Sequence, residues 1–317
     1  MKRFVLNLLL FGGIWFVLSF VCDLLVTDLI KKSKARSIVV WEDIFNSRID
    51  ADIIYLGSSR TCDHYNPRVI DSILEIKSYN LGLHAKNIDM DFLRWKLYNK
   101  YNNKKPQIII WDVFYNSMTY SGQVADYRFA PYIFDDDVWN VMYNSRHDYI
   151  IPDKIIPLLR YWRHSQVLNY IFKPVNYDEK NPYNGYVGKD IPWSPHKTLR
   201  DLVGGGITYE YNLELVSQFR ETIRNMQKDN ITVVLVHSPF YFEGQEKIDG
   251  LQSIIDSLQT IAKEENCLFL NYANSNLCYD SILFANSLHM NIEGSAVFSA
   301  ELAHTIDSLG LLKNTGK

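Results

Sequence analysis

The sequence of 317 residues predicts an α/β sandwich of three layers, with a mainly parallel five-stranded sheet, an N-terminal transmembrane helix and an inserted lid subdomain. Two observations predict the sheet. First, short apolar runs alternate with segments in which apolar residues recur at helical spacing. Second, most of the apolar runs end in or just before Gly, Asn or Ser. A third observation, the apolar stretch Phe4–Val26, predicts the membrane span, because about 1.5 Å of rise per residue carries it across a hydrocarbon core of ~30 Å.

Residues 1–30 are interpreted as an uncleaved signal anchor, since the apolar stretch is too long for a cleavable signal and lacks a small-x-small site. A buried helix of a soluble protein is the alternative. Lys2 and Arg3 favour a cytoplasmic N-terminus and an extracytoplasmic domain, whereas the basic residues after the span argue for the opposite orientation: Lys31, Lys32, Lys34 and Arg36. We expect a single-pass protein with its large domain periplasmic or at the cell surface.

Residues 31–50 are expected to form a juxtamembrane helix or linker, and residues 51–116 the first part of the α/β domain. Each predicted strand there is a short apolar run, and each helix shows apolar residues at helical spacing. In order these are strand Asp52–Gly57, a helix opening at Asn66-Pro67, strand Lys77–Leu81, helix Asn87–Tyr101 and strand Gln107–Val113.

The alternation stops over residues 117–208, which are rich in Tyr, Trp, Asp and Pro and close with Gly204–Gly206. This stretch is too long for a plain loop and is interpreted as an inserted lid. Residues 209–317 resume the domain with helix Leu213–Lys228, strand Ile231–His237, a helix over 248–265, strand Cys267–Tyr272 and helix Ile292–Leu309. The complete pattern is that of a flavodoxin-like sandwich, whose ligands bind beyond the carboxyl ends of the strands.

Composition and charge argue against a nucleic-acid-binding protein. The net charge is −3, the pI is about 6.2, and no basic stripe indicates nucleic-acid binding. The four cysteines show no metal-site spacing. The serine and histidine chemistry described below implies neither a metal nor an organic cofactor. Cys267 and Cys278 are either buried free thiols or a disulfide.

Two motifs lie where a parallel sheet would bring them together. Gly57-Ser58-Ser59 follows the first strand, and His289 precedes the last helix. Together Ser59 and His289 can act as a nucleophile and its general base. Taken singly, each has a structural alternative: the Gly-Ser-Ser turn can cap a helix, and the histidine can be a packing residue.

These motifs, in this order, resemble the SGNH/GDSL hydrolase superfamily over residues ~50–310, and in particular its membrane-anchored relatives in cell-envelope acylation. The resemblance implies that Ser59 is the nucleophile and that Gly82, in Asn80-Leu81-Gly82, donates a backbone N–H to the oxyanion. The third block is missing, and Asn116 is its nearest candidate.

The last family block, Asp-x-x-His, reads Asn286-Ser287-Leu288-His289 in this sequence. An amide thus stands where the resemblance implies an acid that orients the imidazole. Asn286 is expected to orient His289 without supplying charge, with Asp280 or a backbone group as alternatives. Arg60 and His84 are candidate substrate-binding residues. An ion pair at the sheet edge is the alternative for Arg60.

The sequence therefore predicts a serine esterase or acyltransferase acting on O-acyl groups, chiefly O-acetyl groups, of a cell-envelope or exported glycan. The alternative is a non-catalytic glycan-binding or assembly protein that partners a membrane acyltransferase. The expected partners are an acylated glycan or small ester and the membrane itself.

Overall fold

A computed structural model describes residues 1–84, 88–119, 126–145, 150–172, 182–194 and 210–312. Its centre is a five-stranded parallel sheet in the order β2-β1-β3-β4-β5. The strands are β1 Ile53–Leu56, β2 Ser78–Asn80, β3 Ile108–Asp112, β4 Thr232–His237 and β5 Leu268–Asn271. The α/β class and the flavodoxin-like strand order are confirmed.

The helices connect these strands and flank the sheet. In chain order they are α1 Lys2–Lys31, α2 Arg36–Phe45, α3 Ser59–His64, α4 Pro67–Leu74, α5 Ile88–Tyr101, α6 Asp136–Ser145, α7 Ile150–Ile155, α8 Leu159–Arg163, α9 Asn169–Phe172, α10 Leu213–Lys228, α11 Phe242–Gln245, α12 Leu251–Glu264 and α13 Ile292–Ser308. Short 3-10 turns cover Tyr127–Tyr132, Ser165–Leu168, Asn276–Tyr279 and Ser281–Leu283. A second, two-stranded sheet joins β6 Phe284–Asn286 to β7 His289–Met290.

Alternate residues of the central strands supply two apolar cores, because successive side chains of a strand point to opposite faces. Ile54 and Leu56 belong to the larger core, which α2, α5, α10 and α12 also line. Ile53 and Tyr55 belong to the smaller core, together with Phe298 of α13. Layers of helices on both faces explain why β1, β3 and β4 are apolar over most of their length.

The segment expected to be a juxtamembrane helix or linker contains α2, whose Val40, Trp41 and Ile44 are buried in the larger core. This helix is therefore part of the globular domain. The sequence did not predict α3 or the β6–β7 hairpin, which are too short to show periodicity. Gly204–Gly206 lies outside the described residues.

Helix α1 is long and apolar enough to cross a membrane, and its apolar side chains as far as Leu25 are exposed. The last third of α1, in contrast, packs in part against the domain. Asp23 and Ile30 are buried against the domain, and Arg160 of α8 forms an ion pair with Asp23 in which both side chains are almost fully buried. The backbone N–H of Leu158 donates to the same carboxylate at 2.8 Å.

The described parts of the expected lid have different neighbours. Residues 126–145 pack on the larger core through Phe129 and Val138. Residues 150–172 pack towards α1, where Tyr161 and Val167 share a small core with Ile30. Residues 182–194 lie against β2, β6 and the start of α13, since the Lys189 carbonyl accepts from the Ile292 N–H and the Ser194 N–H donates to the Ala285 carbonyl. Residues 182–194 thus approach the carboxyl edge of the sheet.

The buried Asp23–Arg160 pair predicts a large effect of Asp23→Asn. Removing one charge of a buried pair leaves its partner uncompensated, which costs about 3–5 kcal/mol. We expect residues 150–172 to lose protection from hydrogen exchange in the detergent-solubilised full chain. The matched control is Asp28→Asn, because Asp28 pairs with Lys32 on the exposed face of the same helix and such pairs contribute at most about 1 kcal/mol. Equal protection in the two variants would contradict a docked α1.

Candidate active site

Ser59 begins α3 immediately beyond the carboxyl end of β1. The chain turns sharply at Gly57, whose φ of +138° favours glycine, and a Cβ there would overlap Thr61 and lie 2.9 Å from the carbonyl oxygen of Asp112. Ser58 then takes the N-cap position in an extended conformation. The turn therefore presents the Ser59 side chain at the edge of the sheet where ligands of such folds bind.

His289 is held by the β6–β7 hairpin on the opposite side of the site. Asn286 pairs with His289 across the hairpin, with an irregular register before it. Directly after β7, the Asn291 side chain caps α13 by accepting from the Gly294 N–H at 2.9 Å and donates to the Ile282 carbonyl at 2.6 Å. The hairpin and the capped helix together fix the histidine backbone.

Ser59 and His289 meet as the sequence predicts, although 230 positions separate them. Ser59 Oγ lies 2.8 Å from His289 Nε2, and His289 Nδ1 lies 3.0 Å from Oδ1 of Asn286. The three side chains thus form one hydrogen-bonded line. The alternative acid, Asp280, is exposed and caps the 3-10 turn Ser281–Leu283 by accepting from the Ile282 N–H.

Asn286 must present its oxygen to the histidine. The same Oδ1 accepts backbone N–H groups from Leu288 and His289, each at 3.0 Å, and an amide nitrogen cannot accept them. His289 Nδ1 is therefore the protonated ring nitrogen, and Nε2 carries the lone pair that faces the Ser59 hydroxyl. This is the tautomer that a general base needs.

His64, which sequence reasoning missed, connects the helix of the nucleophile to the strand of the base. Its Nε2 accepts the Met290 N–H at 3.1 Å, so its Nδ1 carries the proton and donates to Ser238 Oγ at 3.1 Å. Burial, followed by the nearby Arg60 charge, holds the pKa of His64 well below its usual range. A neutral His64 is what this pair of bonds requires.

Arg60, predicted to bind substrate, lies beneath the site and is held by buried partners, so its predicted role has no exposed guanidinium to support it. Its guanidinium is almost fully buried, donates to the carbonyl and Oγ of Ser238, and lies 3.8 Å from Asp112. The rings of Phe114 and Phe240 cover it at 3.9 and 5.1 Å. The alternative, an ion pair at the sheet edge, describes its place correctly.

The predicted oxyanion donors do not point to the nucleophile. The Gly82 N–H already donates to Asn80 Oδ1 at 3.0 Å. Gly82 serves packing instead, since a Cβ there would lie 2.6 Å from the Cys62 backbone nitrogen. Asn116 is exposed in the turn after β3, and no hydrogen bond among the described residues joins it to Ser59 or His289. No side chain caps α3, so the backbone N–H of Ser59 is a candidate donor to the oxyanion.

His84, the second predicted substrate contact, lies at the rim of the site. It is half-exposed, and its Nε2 is 3.6 Å from the buried carboxylate of Asp63 at the end of α3. Lys189, from the segment 182–194, places its ammonium 2.6 Å from the same carboxylate. A substrate-binding role for His84 stays a prediction. In the described part of the chain, no group of His, Cys, Asp and Glu is arranged to hold a metal ion.

The electrostatics favour a neutral His289. Burial, and then the positive charges of Lys189, His84 and Arg60, hold its pKa well below the usual range. The imidazole is therefore ready to accept a proton at neutral pH. The nearby His237 is a buried packing residue whose Nδ1 donates to the Val113 carbonyl at 3.0 Å, and burial lowers its pKa to about 3.

The sequence contains a positional signal for some of the site residues that were not singled out, but not for all of them. His64 and Asp63 follow Ser59 within the same six-residue helix, and Asp112 and Ser238 stand at the carboxyl ends of β3 and β4. The strand-end rule that selected Ser59 also applies to these residues. Lys189 has no such signal, because its segment belongs to the insertion.

No family model matches the chain, and no curated protein matches its sequence. Solved structures similar to it include a protein assigned to the G-D-S-L lipolytic family from Desulfitobacterium hafniense DCB-2, at 13% identity over 80% of this chain and 99% of that chain, with a TM-score of 0.38. A protein assigned as an acylhydrolase from Bacteroides fragilis NCTC 9343 shows 10% identity over 82% and 88%, with a TM-score of 0.40. A mutant acetyl-xylooligosaccharide esterase from Geobacillus stearmophilus shows 14% over 83% and 97%, with a TM-score of 0.40.

The lowered pKa of His289 predicts the pH dependence of the site. The neutral imidazole is the active base, so a lowered pKa extends activity towards acid. We expect the rate at which Ser59 reacts with a fluorophosphonate probe to stay constant from pH 8 to below about 6.5, the ordinary histidine pKa, and to fall only at lower pH. A midpoint at or above pH 6.5 would show that the imidazole is not desolvated as the structure has it.

Proposed function

We propose that this chain is a serine esterase or acyltransferase of the SGNH type that acts on O-acetyl groups of a cell-envelope or exported glycan. One observation carries the proposal: Ser59 Oγ lies 2.8 Å from His289 Nε2, while Nδ1 of the same ring is anchored to Asn286 Oδ1. A nucleophile, a base and an orienting group in one line are the components of acyl transfer.

The reaction follows from these positions. Ser59 Oγ attacks the acyl carbonyl and its proton moves to His289 Nε2, while the Ser59 backbone N–H stabilises the oxyanion. The tetrahedral intermediate collapses, the sugar oxygen leaves with the proton from Nε2, and an acyl-serine remains. Water or a second hydroxyl then attacks the acyl-serine, with His289 again the base, and releases the acid or a new ester.

The amide at position 286 is compatible with this chemistry. Replacing the acid of a serine-protease triad by its amide is severe mainly because the histidine takes the wrong tautomer. Here the backbone N–H groups of Leu288 and His289 hold the amide oxygen towards Nδ1, so the tautomer is the productive one. Only the charge of the acid is missing.

The glycan part of the proposal rests on the aromatic surroundings of the hairpin. Trp193 packs on Tyr241 with ring centroids 4.4 Å apart. The neighbouring Ser194 N–H donates to Ala285, and the Tyr241 N–H donates to Ser287, so both rings lie beside the hairpin of His289. Tyr241 is buried and Trp193 is half-buried, so Trp193 beside the hairpin offers the partly exposed ring on which a sugar can stack.

The nucleophile assignment predicts that Ser59→Ala abolishes labelling by a fluorophosphonate probe and reduces hydrolysis of an aryl acetate to the uncatalysed rate. The matched control is Ser58→Ala, which removes the adjacent hydroxyl without touching His289 and should retain both activities. Peptide mapping identifies the labelled residue. Labelling of Ser58, or of the Ser59→Ala chain, would overturn the assignment.

Two substitutions of Asn286 should change the rate of aryl acetate hydrolysis in opposite directions. Asn286→Asp keeps the acceptor and adds a charge opposite the imidazolium, and since charged hydrogen bonds exceed neutral ones by about 1–1.5 kcal/mol, aryl acetate turnover should rise about tenfold. Asn286→Leu removes the acceptor and should lower turnover. If wild type, both variants and Ser59→Ala all share one rate, the non-catalytic scaffold would be the better description of this protein.

A further inference from the structure

A group of exposed apolar side chains lies on the insertion, away from the candidate active site. Large apolar side chains are usually covered, and a contiguous exposed group marks an interaction surface. The five side chains are between 51% and 77% exposed and are called here the apolar collar: Phe134, Ile155, Ile156, Trp162 and Phe172. The collar takes no part in the chemistry of Ser59 and His289.

The collar is attached to α1 by specific contacts. Arg160, two positions before Trp162 in α8, pairs with Asp23 of α1, and its guanidinium lies 4.9 Å from the centre of the Phe134 ring. Just after Ile156, the Leu158 N–H donates to Asp23 as well. Phe172 ends α9, which also contacts α1.

The length of α1 sets the depth of the collar. Lys2 and Arg3 precede the apolar stretch, and ~20 residues at about 1.5 Å each cross a hydrocarbon core of ~30 Å. A span that starts at Phe4 therefore reaches the opposite boundary near Asp23. That is the residue to which α8 is attached, and tryptophan is enriched at this boundary.

We propose that the apolar collar inserts into the lipid interface of the membrane that α1 crosses. The exposed apolar stretch of α1 ends near Asp23, where the segments that carry the collar contact the helix, and Lys32 and Lys34 are exposed just beyond the span, where lipid phosphates would lie. The occupant is thus lipid, because the collar is attached at the end of a helix whose own exposed apolar side chains fit a bilayer. The inserted residues 150–172 serve as a membrane platform.

The test places nitroxide labels on the full chain in phosphatidylcholine–phosphatidylglycerol vesicles. Trp162→Cys and Phe172→Cys carry the labels in a chain in which Cys22 and Cys267 are replaced by alanine, and the parent chain gives the background. The matched control is Leu213→Cys, at an 81% exposed apolar residue that begins α10. Collision rates with lipid-soluble oxygen and a water-soluble nickel chelate are compared.

We expect oxygen-to-nickel ratios several-fold higher at positions 162 and 172 than at 213. Ratios equal to that at 213 would overturn the proposal and would leave a protein partner as the occupant of the collar. Brominated-lipid quenching in the otherwise native chain provides a second readout that needs no cysteine. There, Trp162→Phe should reduce the quenched fraction of the fluorescence, and an unchanged fraction would equally overturn the proposal.

Discussion

The hydrogen bond from the Met290 backbone to His64 is the contact on which the candidate site depends. It ties the strand that carries His289 to the helix that begins with Ser59, and so joins two parts of the chain that lie more than 200 positions apart, His64 and Met290 being separated by 226. His64 can accept this bond only while neutral, and Ser238, itself held by Arg60, fixes its other nitrogen. The buried polar network beneath the site therefore fixes the distance between Ser59 and His289.

The amide at position 286 illustrates how backbone geometry can decide the role of a side chain. In isolation, an asparagine offers either its oxygen or its nitrogen to a neighbouring imidazole. The tight turn Ser287-Leu288 places two backbone N–H groups on the same oxygen and removes that choice. An amide at this position can thus orient the imidazole as an acid would, without the charge of the acid.

The sequence predicted every strand of the central sheet and the helices that contain regular apolar spacing, because both depend on local periodicity. It also predicted Ser59, His289 and Asn286, since strand order alone brings them to one edge. It did not predict the hydrogen-bond partners of Arg60 and Gly82. The Arg60 guanidinium donates to Ser238, 178 positions away, and no local pattern records such a distant contact. The Gly82 N–H donates to the side chain of Asn80, only two positions earlier, but apolar periodicity says nothing about where a polar side chain turns.

Helix α1 is fastened to the domain by a buried ion pair, with no flexible leader between them. A catalytic domain on a long, flexible tether samples a hemisphere of positions above its anchor. A domain docked rigidly on its own span has instead one height and one tilt, and it reaches new substrate only by lateral diffusion. Under the proposed function, with α1 crossing the bilayer, its working volume is a thin layer parallel to the bilayer, and glycan chains are modified at one fixed distance from the lipid.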